Sequence, residues 1–382
     1  MSSPPRPAVA ELVGRALADP EWDRFVEAAP GGTYQQTSMW ARVKAEAGWR
    51  PARITVRSHG EIVAGCQLLT RRVARVGAVG YAPYGPLTAS PVTASTDPGT
   101  PEAVLDAVRW LVRHDRLLYF KLQPPPDTGD MDCALRARGF VPASLNPAPR
   151  MTVRVDLRRP PEVILAGMRS RTRTYIRQAP RRGVIVRTGG EADLPGFLEL
   201  IEATCRRKGL RPYPLGYYQA IWRSFPGRTH LLLAEHRGEV LAGTLLLAFG
   251  GTVSYKMGGW SGEHREVRPN ELLHWTGMQW ARDLGCRYYD LEGIDPAVGE
   301  AILGGCDHRT LDMPGIVHFK LGLGGEVTRF PGCYDYAGPP LLRVALPWVA
   351  PRAERLTPIA HRLVGRRRPR PPQQPVPEPV RG

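Results

Sequence analysis

Lysine and arginine together number 52 in this chain, yet only five are lysines (Lys44, Lys121, Lys208, Lys256 and Lys320), leaving 52 − 5 = 47 arginines. An ammonium is a compact point charge and a guanidinium a planar fork, so a lysine kept in such a chain marks a place where only the compact cation fits. Chance survival on the surface is the competing reading. The densest charge run, MRSRTRTYIRQAPRRGVIVR, carries Arg169, Arg171, Arg173, Arg177, Arg181, Arg182 and Arg187 with no acid. On a helix, Arg169, Arg173 and Arg177 form one stripe of mutually repelling charges. Phosphate oxygens would relieve that repulsion through bidentate contacts, while a solvated face is the plainer alternative. No Ser-His-Asp or Cys-His set is legible. The six cysteines form no C-x-x-C pair, which argues against a zinc ribbon or a disulfide framework.

The elements that must position these cations form a module written twice. A shift of 178 carries Gly60, Glu61, Ala64 and Gly65 onto Gly238, Glu239, Ala242 and Gly243, so ITVRSHGEIVAGCQLL and LLAEHRGEVLAGTLLL read as one hairpin repeated. A shift of 168 carries Pro101 onto Pro269, and each proline opens a helix-period segment that runs into a strand. So long a period means duplicated domains, not a solenoid. A chain of 382 residues accommodates two such α/β units, each with its own core. The net charge of +16 and pI near 10 favour polyanionic partners: RNA, nucleotide diphosphates or an anionic membrane face. No apolar run reaches a membrane span and the N-terminus has no sustained apolar core, so a reducing cytoplasm is expected.

The pattern predicts a loose lead-in over 1–20, helical segments over 20–49 broken at Pro30-Gly31-Gly32, strands over 52–57 and 62–70, a Gly-rich strand into YAPYGP, and a loop over 91–101. A helix and strand over 102–122 and a short helix over 131–138 follow, and a first domain closes at 150. The second domain, 151–320, is expected to hold strand MTVRVDL, helices over 162–178 and 192–208 with Pro180 interrupting the helix after the arginine stripe, a hairpin and sheet over 230–259, a helix over 270–284 and strand CRYYDLEGI. GIVHFKLGLGGEVTRF reads as strand. Residues 321–340 should return to pack on the first domain, 341–365 to be helical, and the basic Pro-rich 366–382 to be disordered.

This order of hairpin, strand, helix and strand resembles the GNAT acyltransferase fold, implying two tandem GNAT-like domains of mixed α/β sheets. Acyl-CoA binding in that fold needs R-x-x-G-x-G before the central helix, where backbone N–H groups cradle the pyrophosphate. Here the register reads Arg265-Glu266-Val267-Arg268-Pro269-Asn270, with Arg268 and Asn270 at the glycine positions and Pro269 lacking an N–H. CoA is therefore disfavoured as acyl source, and an acyl-CoA acetyltransferase is the weaker reading.

From about Thr33 to Tyr336 the chain resembles the Fem family of aminoacyl-tRNA-dependent aminoacyltransferases, through QTSMWARVKAEAGW, YAPYGP, RTRTYIRQAPRRGV, SYKMGGW, RPNELLHWTGMQWARDLGCRYYDLEGI and HFKLGLGGE in the family's order. The resemblance implies that Lys44 and Arg173 meet an acceptor diphosphate from opposite domains, with Arg177, Tyr84 and Tyr255 also contacting substrate. It places Phe319 and Lys320 where the aminoacyl ester reacts, Lys320 stabilising the oxyanion. The acceptor amine must lose a proton, for which Asp290 or Glu292 is a candidate, a structural role for both being the plainer reading. Leu87, Thr88 and Ala89 stand where relatives carry an acid after the YxPxGP turn, Glu292 occupies a position usually small, and the coiled-coil arm of some members is missing. The implied activity joins an aminoacyl group from aminoacyl-tRNA to an amine of a lipid- or UDP-linked peptidoglycan precursor, with no CoA, no metal and no DNA partner, at or near the inner membrane face. An acceptor of antibiotic biosynthesis is the alternative within that chemistry, and a non-catalytic RNA-binding protein the alternative outside it.

Overall fold

Both halves are organised around the same hairpin. β2 (Arg50–Ser58) and β3 (Glu61–Val73) are joined by His59-Gly60 at φ 50° and 87°, and β10 (Thr229–His236) and β11 (Glu239–Phe249) by Arg237-Gly238 at φ 53° and 82°. Two successive left-handed residues make the type I′ turn whose twist matches the strands, and glycine is favoured there. Each hairpin shifts register at the corresponding place, Val56/Arg57 and Ala234/Glu235. The duplication therefore extends from turn residues to the bulge.

The computed structural model describes residues 10–12, 14–73, 77–89, 100–126, 131–143 and 145–343. Around the first hairpin stand β1 (Ala10–Leu12), α1 (Pro20–Ala28), α2 (Ser38–Ala45), β4 (Gly77–Ala82), β5 (Leu87–Thr88), α3 (Thr100–His114), β6 (Leu117–Leu122), α4 (Asp132–Ala137) and β7 (Val141–Pro142). Around the second stand β8 (Met151–Asp156), α5 (Pro161–Gly167), α6 (Ser170–Arg181), β9 (Val184–Gly189), α7 (Leu194–Lys208), α8 (Leu215–Ser224), β12 (Thr252–Trp260), α9 (Pro269–Asp283), β13 (Tyr288–Asp290), α10 (Pro296–Leu303), α11 (Gly315–Gly322) and β14 (Glu326–Arg329), with β15 (Tyr334–Ala337) last. The first sheet runs β1-β2-β3-β4-β6-β15-β7, with β5 on β3, and the second β14-β8-β13-β12-β11-β10-β9. Each has one parallel pairing, β4 with β6 and β12 with β13, reached by crossover helices α3 and α9. Of the segment 321–340, β14 joins the second sheet beside β8 and β15 the first between β6 and β7.

One apolar cluster is common to both halves. Trp22, Val26 and Trp40 of α1 and α2 pack with Phe197, Tyr218 and Leu245 of α7, α8 and β11. Arg42 donates to the Ser224 carbonyl at 2.9 Å and Arg228 pairs with Glu27 at 2.6 Å across the same boundary.

Several expectations need correction. The lead-in contains β1, which pairs with Ile54–Val56 of β2. The helix expected over 162–178 is two, because Met168 and Arg169 are extended (ψ 155° and 143°) and Arg169 N–H leaves the helical ladder for the Gly322 carbonyl at 3.0 Å. Pro180 does not interrupt α6, which runs on to Arg181. HFKLG is helix, not strand: Val317, Lys320 and Leu321 are buried at helical spacing, and strand resumes only at Glu326. Helices α8 and α10 lie outside the elements that the pattern predicts. The expected loop 91–101 falls largely, and the tail 366–382 wholly, outside the described residues; of the helical segment 341–365, only 341–343 are described and are helical.

Candidate active site between the two domains

β12 accompanies β13 only over Thr252–Ser254, because β13 ends at Asp290 while β12 runs on to Trp260. Just past Ser254, β12 bulges: Leu246 faces Tyr255 and Leu245 faces Met257, so Lys256 is the extra residue. A bulge bends its strand and re-aims a side chain. Lys256 Nζ donates to the Tyr34 hydroxyl of the first domain at 2.8 Å and meets the Glu292 carboxylate at 3.3 and 3.4 Å. Tyr34 in turn donates to Glu292 Oε1 at 2.9 Å. The ammonium also lies 5.2 Å from the Tyr34 ring centroid and 5.4 Å from that of Trp40, within cation–π range.

Glu292, just past β13, has φ 48°, a left-handed backbone uncommon for a residue with a side chain. It is tied down from both sides. Asp290 Oδ1 accepts its N–H at 2.7 Å, and Lys320 of α11 donates to the carbonyls of Glu292 at 2.6 Å and Gly293 at 2.8 Å. Both Asp290 oxygens are engaged: Oδ1 also accepts from Thr152 at 2.5 Å and Oδ2 from Arg154 at 2.9 Å.

Two cavities meet at Tyr34 and Glu292, which line both. One, of roughly 460 Å³, is walled by Pro30–Thr33, Tyr84, Arg154, Phe249–Thr252, Arg287 and Phe330. The other, of roughly 420 Å³, holds Lys44, Lys121 and Lys256 among Trp40, Trp49, Tyr81, Tyr119, Tyr213 and Tyr217. Three of the chain's five lysines thus share one cavity, and a fourth, Lys320, braces its floor at Glu292. Lys121 is neutralised by Asp335 at 2.6 Å. Lys44 has no such anion among the described residues; its ammonium lies 4.9 Å from the Trp40 ring centroid.

Burial, and secondarily the nearby Lys256 charge, pull Lys44 down to about 8 from 10.5. Burial also pulls Lys320 down to about 8, against the opposing pull of Glu292 and Asp290. Burial and then the Glu292 charge push the Tyr34 hydroxyl well above its ordinary value, so it stays a donor. His274, buried in the second core, is pushed down to about 3 by desolvation and then by Lys320, and is neutral.

The residues singled out in the sequence do not all converge. Lys44 and Tyr84 line the cleft; Tyr84, with φ 49° before a cis Gly85–Pro86 bond, donates to the Pro149 carbonyl at 2.9 Å. Arg173 lines neither cavity, and its guanidinium serves the Ala166 and Met168 carbonyls at the α5–α6 junction. Arg177 is exposed on α6 and lines neither cavity. Tyr255 faces the opposite side of β12, with His274 edge-on at 4.6 Å, and Phe319 packs 5.3 Å from the same histidine. Lys320, expected to face an oxyanion, donates two of its three N–H groups to the Glu292 and Gly293 carbonyls, and Asp290 accepts from Thr152, Arg154 and the Glu292 N–H. Lys256, Tyr34 and Glu292 form the cluster that does face the cavities. Lys256 was flagged by the scarcity of lysine, but nothing in the linear pattern announces a bulge.

Among known proteins, residues 17–133 match the family model described as FemAB family, and residues 166–299 match the acetyltransferase (GNAT) domain model. The Lipid II:glycine glycyltransferase of Staphylococcus haemolyticus (strain JCSC1435) is 24% identical over 356 residues, covering 73% of this chain and 84% of its own length. The crystal structure of FemX superposes with TM-score 0.74 at 22% identity, over 87% of this chain and 99% of FemX. A tandem GNAT protein from the clavulanic acid biosynthesis pathway superposes with TM-score 0.53 at 15% identity, over 87% and 99%. The tandem GNAT-like architecture expected from the sequence is therefore the observed one.

Proposed function

We propose that this chain, a member of the Fem family, forms an amide bond between the aminoacyl group of an aminoacyl-tRNA and an amine of a peptidoglycan precursor. The observation that carries the reading is the interdomain cavity in which Lys44, among aromatic walls, has no anionic partner among the described residues. A half-buried, uncompensated ammonium suits a diphosphate, the group through which such precursors are linked to lipid or nucleotide. The activity named for the similar staphylococcal proteins supports the same chemistry.

The donor is an ester and brings its own activation, so the protein's work is positioning and charge stabilisation. No CoA or metal is invoked. Arg268 takes a left-handed conformation (φ 52°) where the acyl-CoA loop has glycine, and Pro269 begins α9 without an N–H. Lys256 and the Tyr34 hydroxyl are donors at the meeting point of the cavities, placed to stabilise developing negative charge on the ester carbonyl. Lys320 holds the Glu292–Gly293 backbone behind them. No helix among the described residues is long and apolar enough to cross a membrane, and a lipid-linked acceptor would be reached at the membrane face.

The test is incubation of the protein with a pool of charged tRNAs and with UDP- and lipid-linked muropeptides, products being weighed by mass spectrometry. One aminoacyl residue added to a muropeptide is expected. Charged tRNAs left unconsumed with every acceptor would refute the reading.

A further inference from the structure

We infer that Glu292 receives the attacking nucleophile: its carboxylate binds the acceptor's ammonium where the two cavities meet and takes a proton from it. The inference deepens the proposed acyl transfer and rests on it for the chemical step, though not for the binding. Glu292 lines both cavities, so a group reaching from one to the other passes its side chain. Its Oε1 accepts from Tyr34 at 2.9 Å, but Oε2 has only the long 3.4 Å contact with Lys256 among the described residues. An ionised carboxylate has about four acceptor positions, so Oε2 retains lone pairs for an ammonium. The neighbouring carboxylate, Asp290, already accepts from Thr152, Arg154 and the Glu292 N–H, three of its roughly four acceptor positions, and is buried.

The charged and titratable groups around Glu292 fit that role. Lys256 approaches from β12 and Lys320 from α11, both cations, and Asp290 from β13 is the neighbouring anion. Tyr34, Tyr84 and Tyr217 sense its charge and are each pushed upward by their own burial first, so they remain neutral. In the reaction, one ammonium proton passes to Oε2 and the freed lone pair forms the C–N bond at the ester carbonyl. As the tetrahedral centre collapses, the C–O bond to the tRNA ribose breaks. The nitrogen's second proton goes to the leaving ribose oxygen, and Glu292 returns its proton to water.

The experiment compares wild type, E292Q and K256M. Binding is measured with two probes, N-acetyl-lysine amide and its uncharged isostere N-acetyl-norleucine amide. Wild type is expected to prefer the lysine probe by about fivefold or more, and E292Q to show no preference. K256M, which removes the resident cation competing for Oε2, should bind the lysine probe more tightly than wild type, an outcome a merely structural carboxylate would not produce. In acyl transfer, E292Q should lower kcat by about 10²-fold, the usual worth of a positioned base, and its kcat should climb nearly tenfold per pH unit below the amine's pKa, more steeply than wild type. Absence of a charge preference in wild type, or an E292Q kcat within threefold of wild type with an unchanged pH profile, overturns the inference. Should E292Q fail to fold, weaker binding of the lysine probe by K256M overturns it. A wild type that prefers the lysine probe but consumes no charged tRNA refutes the acyl-transfer reading and leaves the ammonium site standing.

Discussion

Lys256 and Tyr34, 222 positions apart, share a 2.8 Å hydrogen bond across the domain boundary. Part-buried groups in one hydrogen-bonded network are energetically coupled, whereas distant ones are additive. Unfolding of Tyr34→Phe, Lys256→Met and the double variant by urea should reveal a coupling of about 1 kcal/mol, within the range for contacting residues. Strict additivity would mean that the bond contributes nothing in solution.

Lys44 carries its charge below about pH 8 and loses it above. An anionic acceptor should therefore bind progressively less well as the pH rises from 7 to 9, even though the acceptor's own charge does not fall. Lys44→Ala should raise the acceptor KM by tens of fold at pH 7, since charge-assisted contacts are worth about 1.5–3 kcal/mol, and should flatten the pH dependence. Arg173→Ala should leave the acceptor KM within threefold, because that guanidinium is engaged at the α5–α6 junction. Equal effects from the two variants would put Arg173 back in the acceptor site.

Lys320→Ala withdraws donors from two carbonyls, those of Glu292 and Gly293. Unpaired buried acceptors cost about 1–3 kcal/mol, so the melting temperature should fall by several degrees together with a large drop in kcat. A variant with reduced kcat and unchanged melting temperature would favour direct oxyanion contact over bracing of the Glu292 loop.

Acetyl-CoA should not be turned over with simple amines. The backbone before α9 presents Arg268 in a left-handed conformation and a proline at the first helical position, removing an N–H from the place where a pyrophosphate is cradled. CoA release measured with a thiol reagent is the check, and robust release would contradict the assignment of donor.

What the sequence disclosed and what it hid have separate physical causes. The duplicated hairpins were legible because Gly60 and Gly238 answer a local need, a positive φ in a two-residue turn. Lys44 and Tyr84 were placed in the cleft because each lies in a short motif tied to one element. Lys256 and Glu292 were not assembled into a site, since a bulge arises from pairing between strands and a left-handed glutamate from long-range anchors such as Lys320. HFKLG was misread because a short apolar run suits either period until its neighbours choose. Where the Arg173 side chain lies was hidden for the same reason: the break between α5 and α6, invisible in the pattern, gives its guanidinium two carbonyls to serve.

The apolar cluster that runs from Trp22 and Trp40 into Phe197 and Tyr218 also bears on how the two halves can move. Halves welded by a common interior do not swing apart like jaws, because opening would wet those rings. Any order in which the substrates arrive would then have to be set by loops and side chains at the cavity mouths, not by a parting of the two halves.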